Sequence, residues 1–158
     1  MKRILAHTVG VLAAAAAVPM AFTAVANADK PGPVYFSAHG MNCSITDDGT
    51  VGCDLTSPTS FAFSTGTDSQ IPVPFPVREV LIDVPWAPAH PGLDPGTPHT
   101  LPGGNPDIGT FGTTAGSGAN QGPAVYHAGA VCAIGFHGSF SCQSKGHAFN
   151  DYEQITAS

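Results

Sequence analysis

Hydrophobic and polar residues alternate most regularly in two short segments, which together hold all four cysteines. Both segments follow the pattern G-x2-C-x-I-x3-G-x3-C, at residues 40–53 and 129–142. Alternation with a period of two predicts β-strands that bury one face. Between the cysteines, Asp47-Asp48-Gly49 and Phe136-His137-Gly138 fit three-residue hairpin loops, each closed by a glycine in the left-handed conformation. The sequence therefore predicts two copies of one β-hairpin.

Counting outward from each loop places the two cysteines of a hairpin directly opposite one another. Antiparallel neighbours have Cα atoms about 4.5–5.5 Å apart, which suits a disulfide. We predict the pairs Cys43–Cys53 and Cys132–Cys142, and cross-pairing between the hairpins is the alternative that the spacing leaves open. The spacing is not C-x2-C and exported thiols oxidise, so disulfides are favoured over zinc. The same register gives the first hairpin an apolar face and a polar face, the latter formed by Ser44, Thr46, Thr50 and Gly52.

The remaining strand signals are short. Phe61-Ala62-Phe63 alternates within a Ser/Thr-rich stretch and predicts a strand. The prolines at 72, 74 and 76 favour an extended run at a sheet edge. Gly, Pro, Ser and Thr are abundant and charged residues are few, which disfavours long helices. We predict a mostly β fold, a small antiparallel domain built as a sheet, a sandwich or a partly open barrel.

The strongest single strand signal lies at residues 77–84, where apolar and polar positions alternate. Val80 and Ile82 fall on one face and are expected to be buried. Glu79 and Asp83 fall on the other face. Two carboxylates two pleats apart are compatible with an acid/base pair, but an ordinary solvated strand face is the favoured interpretation.

A long segment rich in Gly and Pro separates the two hairpins. Of the 33 residues at 91–123, 15 are Gly or Pro, and no apolar periodicity is present. This composition predicts a flexible loop without packed elements, of a length that is usually functional or disordered. Trp86, the only tryptophan, precedes the loop and is expected in the core because an indole buries a large apolar area.

The amino terminus has the three parts of a secretory signal: two basic residues, an apolar run, and a small-residue cleavage site. We place the cleavage after Ala28, so that residues 1–28 are the signal peptide and 29–158 form a single domain without a membrane anchor. The predicted mature chain has three basic and eleven acidic residues, a net charge of −8. This balance argues against nucleic acid or anionic lipid as a partner, because both require clustered Lys and Arg. An envelope or extracellular partner is expected.

Catalytic signatures are absent from the sequence: it has no G-x-S-x-G, S-x-x-K, H-E-x-x-H or phosphate-binding motif. We predict no catalytic residue and no cofactor. Histidine is the one enriched reactive side chain, and the weak candidates for a metal site are His39, His127, His137 and His147. Their spacing matches no metal-binding motif, which favours scattered surface histidines. His39 and His127 precede equivalent glycines of the repeat, so they meet only if the hairpins pack together.

Two stretches, residues 36–43 (FSAHGMNC) and 138–149 (GSFSCQSKGHAF), resemble a group of uncharacterised small secreted proteins of actinobacteria. That group opens with F-x-S-P-S-G-N-I-x-C and ends with G-x-x-C followed by G-H-G-F. The resemblance covers the two hairpins and the tail, and residues 56–124 show none. It implies an exported, disulfide-stapled domain, and it implies no activity because none is established for the group.

Three functions fit these observations. The favoured hypothesis is a secreted or envelope-associated protein that acts as a non-enzymatic binding or structural module. The first alternative is a small secreted enzyme that uses histidine with a carboxylate such as Asp151, or a bound metal. The second alternative is a protease inhibitor that presents residues 91–123, since stapled scaffolds display such loops.

Overall fold

Two β-sheets make up the part of the chain that the computed structural model describes, residues 32–66 and 69–158. The predicted signal peptide, with its cleavage after Ala28, lies outside the described residues. In chain order the strands are β1 (Val34–Ala38), β2 (Met41–Ile45), β3 (Val51–Thr59), β4 (Phe61–Ser64), β5 (Gln70–Pro72), β6 (Val77–Ile82), β7 (His90–Pro91), β8 (Thr113–Ala115), β9 (Gly122–His127), β10 (Ala130–Ile134), β11 (Phe140–Ser144), β12 (His147–Asp151) and β13 (Ile155–Ala157).

One sheet has five strands in the order β1-β2-β3-β6-β7, and the other has eight in the order β5-β4-β13-β12-β11-β10-β9-β8. Neighbouring strands are antiparallel except for β13 and β4, which are parallel. The chain crosses between the sheets at Ser60, between the end of β3 and the start of β4. The proline-containing β5 lies at a sheet edge, where a missing backbone N–H is tolerated.

The prediction of a mostly β fold is confirmed. Regular helix in the described residues is limited to three 3₁₀ turns, at Ile108–Phe111, Gly118–Asn120 and Phe136–Gly138. No helix in that part of the chain is long and apolar enough to span a membrane.

Both predicted hairpins form in the predicted register. Cys43 lies opposite Cys53 across β2 and β3, and Cys132 lies opposite Cys142 across β10 and β11. Each pair is joined by a disulfide, with Cα atoms 4.0 and 4.1 Å apart. The predicted pairing is therefore confirmed, and the cross-paired alternative is excluded. The loop glycines Gly49 and Gly138 both have φ of 80°, in the left-handed region.

The apolar faces of the two hairpins meet in one hydrophobic core. Phe36 of the five-stranded sheet contacts Phe140 of the eight-stranded sheet, with ring centroids 6.3 Å apart. Both disulfides belong to this core. Because a fully buried side chain contributes about 1.5–3 kcal/mol by leaving water, the shared core is the main force that joins the sheets. Its largest fully buried side chains are Phe36, Phe61, Phe140, Phe149, Ile45, Ile82, Ile108 and Ile155.

The loop of the first hairpin also makes polar contacts with the eight-stranded sheet. Ser144 Oγ donates a hydrogen bond of 2.6 Å to the carbonyl of Gly49, and Lys145 Nζ lies 3.1 Å from Asp48 Oδ2. A hydrogen bond from Thr46, the backbone N–H of Thr50 and the Lys145 ammonium hold the pKa of Asp48 well below its usual range. The Asp-Asp-Gly loop thus fixes the hairpin end against its neighbour.

Residues 91–123 contain packed elements, contrary to the expectation of a featureless loop. They include β8 and two of the 3₁₀ turns, and Ile108 is fully buried in the core. Asp107 caps the first turn by accepting a hydrogen bond from the backbone N–H of Gly109. One apolar residue in a Gly/Pro-rich stretch shows no periodicity, so its role as an anchor is invisible to pattern analysis.

We expect replacement of Cys132 and Cys142 together by alanine to lower the free energy of unfolding by about 2–3 kcal/mol, because each disulfide closes a ten-residue loop. Urea denaturation of the oxidised protein measures the change. The Cys43 and Cys53 double variant should show a similar loss, since its loop has the same length. An unchanged unfolding midpoint in either variant would contradict the assigned role of the crosslinks.

Candidate functional site

Trp86 is the most exposed large aromatic side chain of the described residues, at 80% of its full accessibility. This corrects the prediction that the indole is buried. The residue lies at the tip of the turn that joins β6 to β7, between Pro85 and Pro88. The two prolines restrict the backbone of this turn, and the fully buried Ala89 takes the core position instead.

Two side-chain contacts hold the Trp86 turn in place. His90 Nε2 lies 3.0 Å from Asp83 Oδ1, which closes the base of the turn. His147 Nε2, at the start of β12, lies 3.1 Å from the carbonyl oxygen of Pro85 and donates a hydrogen bond to it. The turn that carries the indole is therefore held by a histidine from each sheet, His90 of β7 and His147 of β12.

A shallow cleft of about 490 Å³ opens beside the indole. Its walls are apolar, and the ion pair of Asp83 and His90 provides the ionisable groups. A cleft with mostly apolar walls and a few convergent polar groups is the usual form of a ligand site. We call this cleft and the indole the Trp86 surface; its lining residues are Phe63, Asp83, Val84, Trp86, Ala87, Pro88 and His90.

The environment of His90 favours the protonated form of its ring. Partial burial acts to lower the pKa of His90, but the hydrogen bond and charge of Asp83 and the carbonyl of Pro91 outweigh it and raise the pKa above its ordinary value of 6.5. The protonated ring donates from Nε2 to Asp83 and from Nδ1 to Pro91. Both nitrogens are thus used in holding the turn.

A second cluster of ionisable groups lies on the side of the five-stranded sheet that faces away from the core. The His99 ring sits over Gly52, with Nδ1 2.8 Å from Ser44 Oγ and Nε2 3.1 Å from Glu79 Oε1. Asp54 Oδ2 accepts hydrogen bonds of 2.8 Å from the backbone N–H of His99 and 2.6 Å from Thr100 Oγ1. We call Ser44, Asp54, Glu79 and His99 the His99 cluster.

Glu79 is 5% exposed, so the prediction of a solvated strand face is wrong at this position. Residues 92–107, here called the covering segment, lie over that face and bury it. Asn105 holds the segment down, because its side-chain amide donates to the carbonyls of Phe36, Cys43 and His99. Asp83 follows the end of β6 and pairs with His90 instead.

Two glycines make room for the His99 cluster. A Cβ atom at Gly52 would lie 1.9 Å from Cε1 of His99, and one at Gly92 would lie 1.9 Å from Oε2 of Glu79. Neither glycine has a positive φ, so backbone conformation does not require them. They are needed because the side chains of Glu79 and His99 occupy the space that a Cβ would fill.

The His99 cluster contains a serine, a histidine and a carboxylate in hydrogen-bonded sequence, which is the arrangement of a nucleophilic triad. Ser44, however, is only 4% exposed beneath the covering segment, so a substrate has no route to its hydroxyl in this conformation. The hydrogen bonds of the cluster instead join the covering segment to the sheet.

The four histidines proposed from sequence occupy separate places. His39 Nδ1 lies 2.8 Å from Asp151 Oδ2, and His127 Nε2 lies 3.0 Å from Asp47 Oδ1. His137 stacks edgewise on Phe136 in the exposed loop of the second hairpin. Within residues 32–66 and 69–158, the one set of three or more potential metal ligands is Asp54, Glu79 and His99, which includes none of these four.

The hypothesis that His39 and His127 meet is wrong. His39 is in the two-residue turn before β2, with φ of 51°, whereas His127 contacts Asp47 in the loop after β2. The two histidines therefore lie at opposite ends of that strand. In the repeat the structural equivalent of His39 is Ala128, which has φ of 45° in the matching turn.

No family model matches the chain, and no curated protein or solved structure matches it. The function must therefore be inferred from the Trp86 surface and the His99 cluster themselves.

We expect Gly52→Ala to destabilise the protein by about 1–3 kcal/mol, because the added methyl group displaces the His99 ring. Urea denaturation measures the loss, and hydrogen exchange should show faster exchange in residues 92–107. Gly135→Ala is the matched control, since its Cβ would meet chiefly the movable hydroxyl of Ser139. Equal behaviour of the two variants would contradict the packing role of Gly52.

We also expect Asp83→Asn to lower the pKa of His90. The contact with Asp83 favours the protonated ring, so it stabilises the fold fully below pH 6.5 and is lost as the pH rises through the raised pKa. An NMR titration of the His90 ring protons measures the shift. Asp151→Asn, which changes the partner of His39, should leave the His90 titration as it is in the wild type.

Proposed function

We propose that this protein is an exported, non-enzymatic binding module and that the Trp86 surface is where it contacts its ligand. The two disulfides are compatible with an extracellular location, and the predicted signal peptide supports export. The observation that carries the proposal is the 80% exposure of a tryptophan on a fastened turn.

An exposed indole forgoes the stabilisation that burial would give it. Burying a large apolar side chain contributes about 1.5–3 kcal/mol, so a solvated tryptophan is an unusual use of the residue. Tryptophan, with tyrosine and arginine, is enriched among the residues that dominate binding energy at interfaces. The fastened turn adds to this, because a contact residue that is already ordered loses little conformational entropy on binding.

The chemistry of the Trp86 surface favours a saccharide as the ligand. A flat indole offers an apolar face to the C–H groups of a sugar ring. Asp83 at its base pairs with His90 through Oδ1, and its second carboxylate oxygen is a hydrogen-bond acceptor for hydroxyl groups. The strongly negative predicted mature chain disfavours polyanionic polymers, so neutral or amino sugars of an envelope polysaccharide fit best.

A second candidate function, protease inhibition, is favoured by Leu93. Its side chain is 87% exposed, and the backbone N–H groups on either side are held by Glu79. Gly92 donates 2.9 Å to the carbonyl of Glu79, and Asp94 donates 3.3 Å to its side chain. A fixed loop that presents one apolar side chain suits a protease pocket, and Leu93→Asp should abolish inhibition of a leucine-specific secreted protease if this is the function.

We expect Trp86→Ala to weaken binding to an insoluble polysaccharide by about 2 kcal/mol or more, roughly 30-fold, without changing the unfolding midpoint. Co-sedimentation with chitin, cellulose and purified bacterial cell wall measures the affinity. Because Trp86 is the only tryptophan, protection of its fluorescence from acrylamide reports contact directly. Tyr152→Ala, at an aromatic residue 55% exposed, is the control.

Two outcomes would overturn the proposal. One is equal binding by the wild type and the Trp86→Ala variant. The other is the absence of fluorescence protection by every polysaccharide tested. Protection by a proline-rich peptide alone would replace the saccharide with a peptide ligand, since such peptides also dock on aromatic grooves.

A further inference from the structure

We propose that Asp54, Glu79 and His99 bind a divalent metal ion of the zinc type, which fastens the covering segment to the five-stranded sheet. This site is separate from the Trp86 surface, and the proposal does not depend on the saccharide ligand. It rests on geometry, on the charges that the fold buries, and on the space that the fold reserves for the ligands.

The geometry fits a metal ion with small adjustments. One ligand atom from each of the three residues lies within 4.8 Å of the other two, and His99 Nε2 is 3.1 Å from Glu79 Oε1. Zinc binds imidazole and carboxylate ligands at about 2.0–2.2 Å, so two of its ligand atoms lie at most about 4 Å apart. The ligand atoms would therefore have to move by less than about 1 Å to bind one ion.

The two buried carboxylates of the cluster favour the binding of a cation, which would offset their mutual repulsion. Asp54 and Glu79 are directly opposite one another on β3 and β6, and they are 4% and 5% exposed. Like charges in this cross-strand position are destabilising, and burial increases the penalty. The His99 ring contacts Glu79, whereas Asp54 is contacted by the backbone N–H of His99 and by the Thr100 hydroxyl. A protonated His99 ring would carry one positive charge and neutralise one carboxylate. A divalent cation carries two positive charges and neutralises both carboxylates.

Each of the three candidate ligand side chains is oriented by a hydrogen bond from a neighbouring residue, as the ligands of metal sites usually are. Ser44 Oγ is hydrogen-bonded to His99 Nδ1, which leaves Nε2 directed at Glu79. Thr100 Oγ1 donates to Asp54, and the backbone N–H of Asp94 donates to Glu79. Such contacts orient metal ligands and tune their affinity. Gly52 and Gly92 keep clear the space in which the imidazole and the Glu79 carboxylate lie.

The ligand set selects the class of metal. One imidazole with two carboxylates suits zinc and similar first-row divalent ions. Calcium prefers six to eight oxygen ligands, and magnesium keeps most of its water. We therefore expect zinc or cobalt to bind and calcium to bind poorly. The ion would link His99 of the covering segment to both strands beneath it.

The test is titration of the chelator-treated, purified protein with zinc by calorimetry, paired with thermal unfolding. We expect one ion per chain and a higher unfolding midpoint with zinc. Glu79→Gln retains size and hydrogen bonding, and it should bind zinc at least about tenfold more weakly. His99→Gln should do the same. Cobalt spectra add an independent readout, because loss of the imidazole ligand changes the absorption bands of bound cobalt.

The exposed pair of His39 and Asp151 provides the control, since it is a histidine and carboxylate contact outside the site. His39→Ala should bind zinc like the wild type. Zinc binding that is lost in His39→Ala but unchanged in Glu79→Gln would overturn the proposal, because the ion would then be held by surface histidines. Absence of binding to a wild-type protein that is folded by circular dichroism would overturn it as well.

Discussion

A disulfide placed directly across two antiparallel strands fixes their register. Both hairpins of this protein have such a disulfide, and the rest of the structure depends on the register that it fixes. Once Cys43 lies opposite Cys53, the alternation of side chains decides which residues face inward. The inward faces of both hairpins are apolar and meet in one core, where Phe36 packs against Phe140. A shift of the register by one residue would break the disulfides and bury the polar face. The disulfides and the hydrophobic effect therefore favour the same register.

The same register creates the polar cluster on the other side of the sheet. With the cysteines inward, Ser44, Gly52 and Asp54 must face outward, and pairing with β6 places Glu79 beside Asp54. A sheet face of this composition would ordinarily be solvated. Here the covering segment lies on it and inserts His99 into the space above Gly52. The cluster is therefore buried because the covering segment lies over it. A small number of specific contacts holds that segment in place.

Strand β6 connects the two candidate sites. Its outward face carries Glu79 within the His99 cluster, and the chain just beyond its end carries Asp83 at the base of the Trp86 turn. Each carboxylate is paired with a histidine from a later part of the chain. The covering segment begins directly after β7, so the buried cluster and the exposed indole share one support. Fastening the segment also steadies the strand from which the Trp86 turn leaves.

Much of the fold was accessible from the sequence because its signals are local. The hairpin loops, the disulfide pairing and the strands β4 and β6 depend on residues close together in the chain, where alternation and turn chemistry act directly, although β6 ends at Ile82, two residues before the predicted end. Asp54 and Glu79 share a face by the same reasoning once their strands are known to pair. Their burial, the position of His99, and the exposure of Trp86 were decided by tertiary structure alone. Residues 92–107 carry no periodicity, and their place is set by contacts between Asn105, His99 and strands more than forty residues away, which no local pattern encodes.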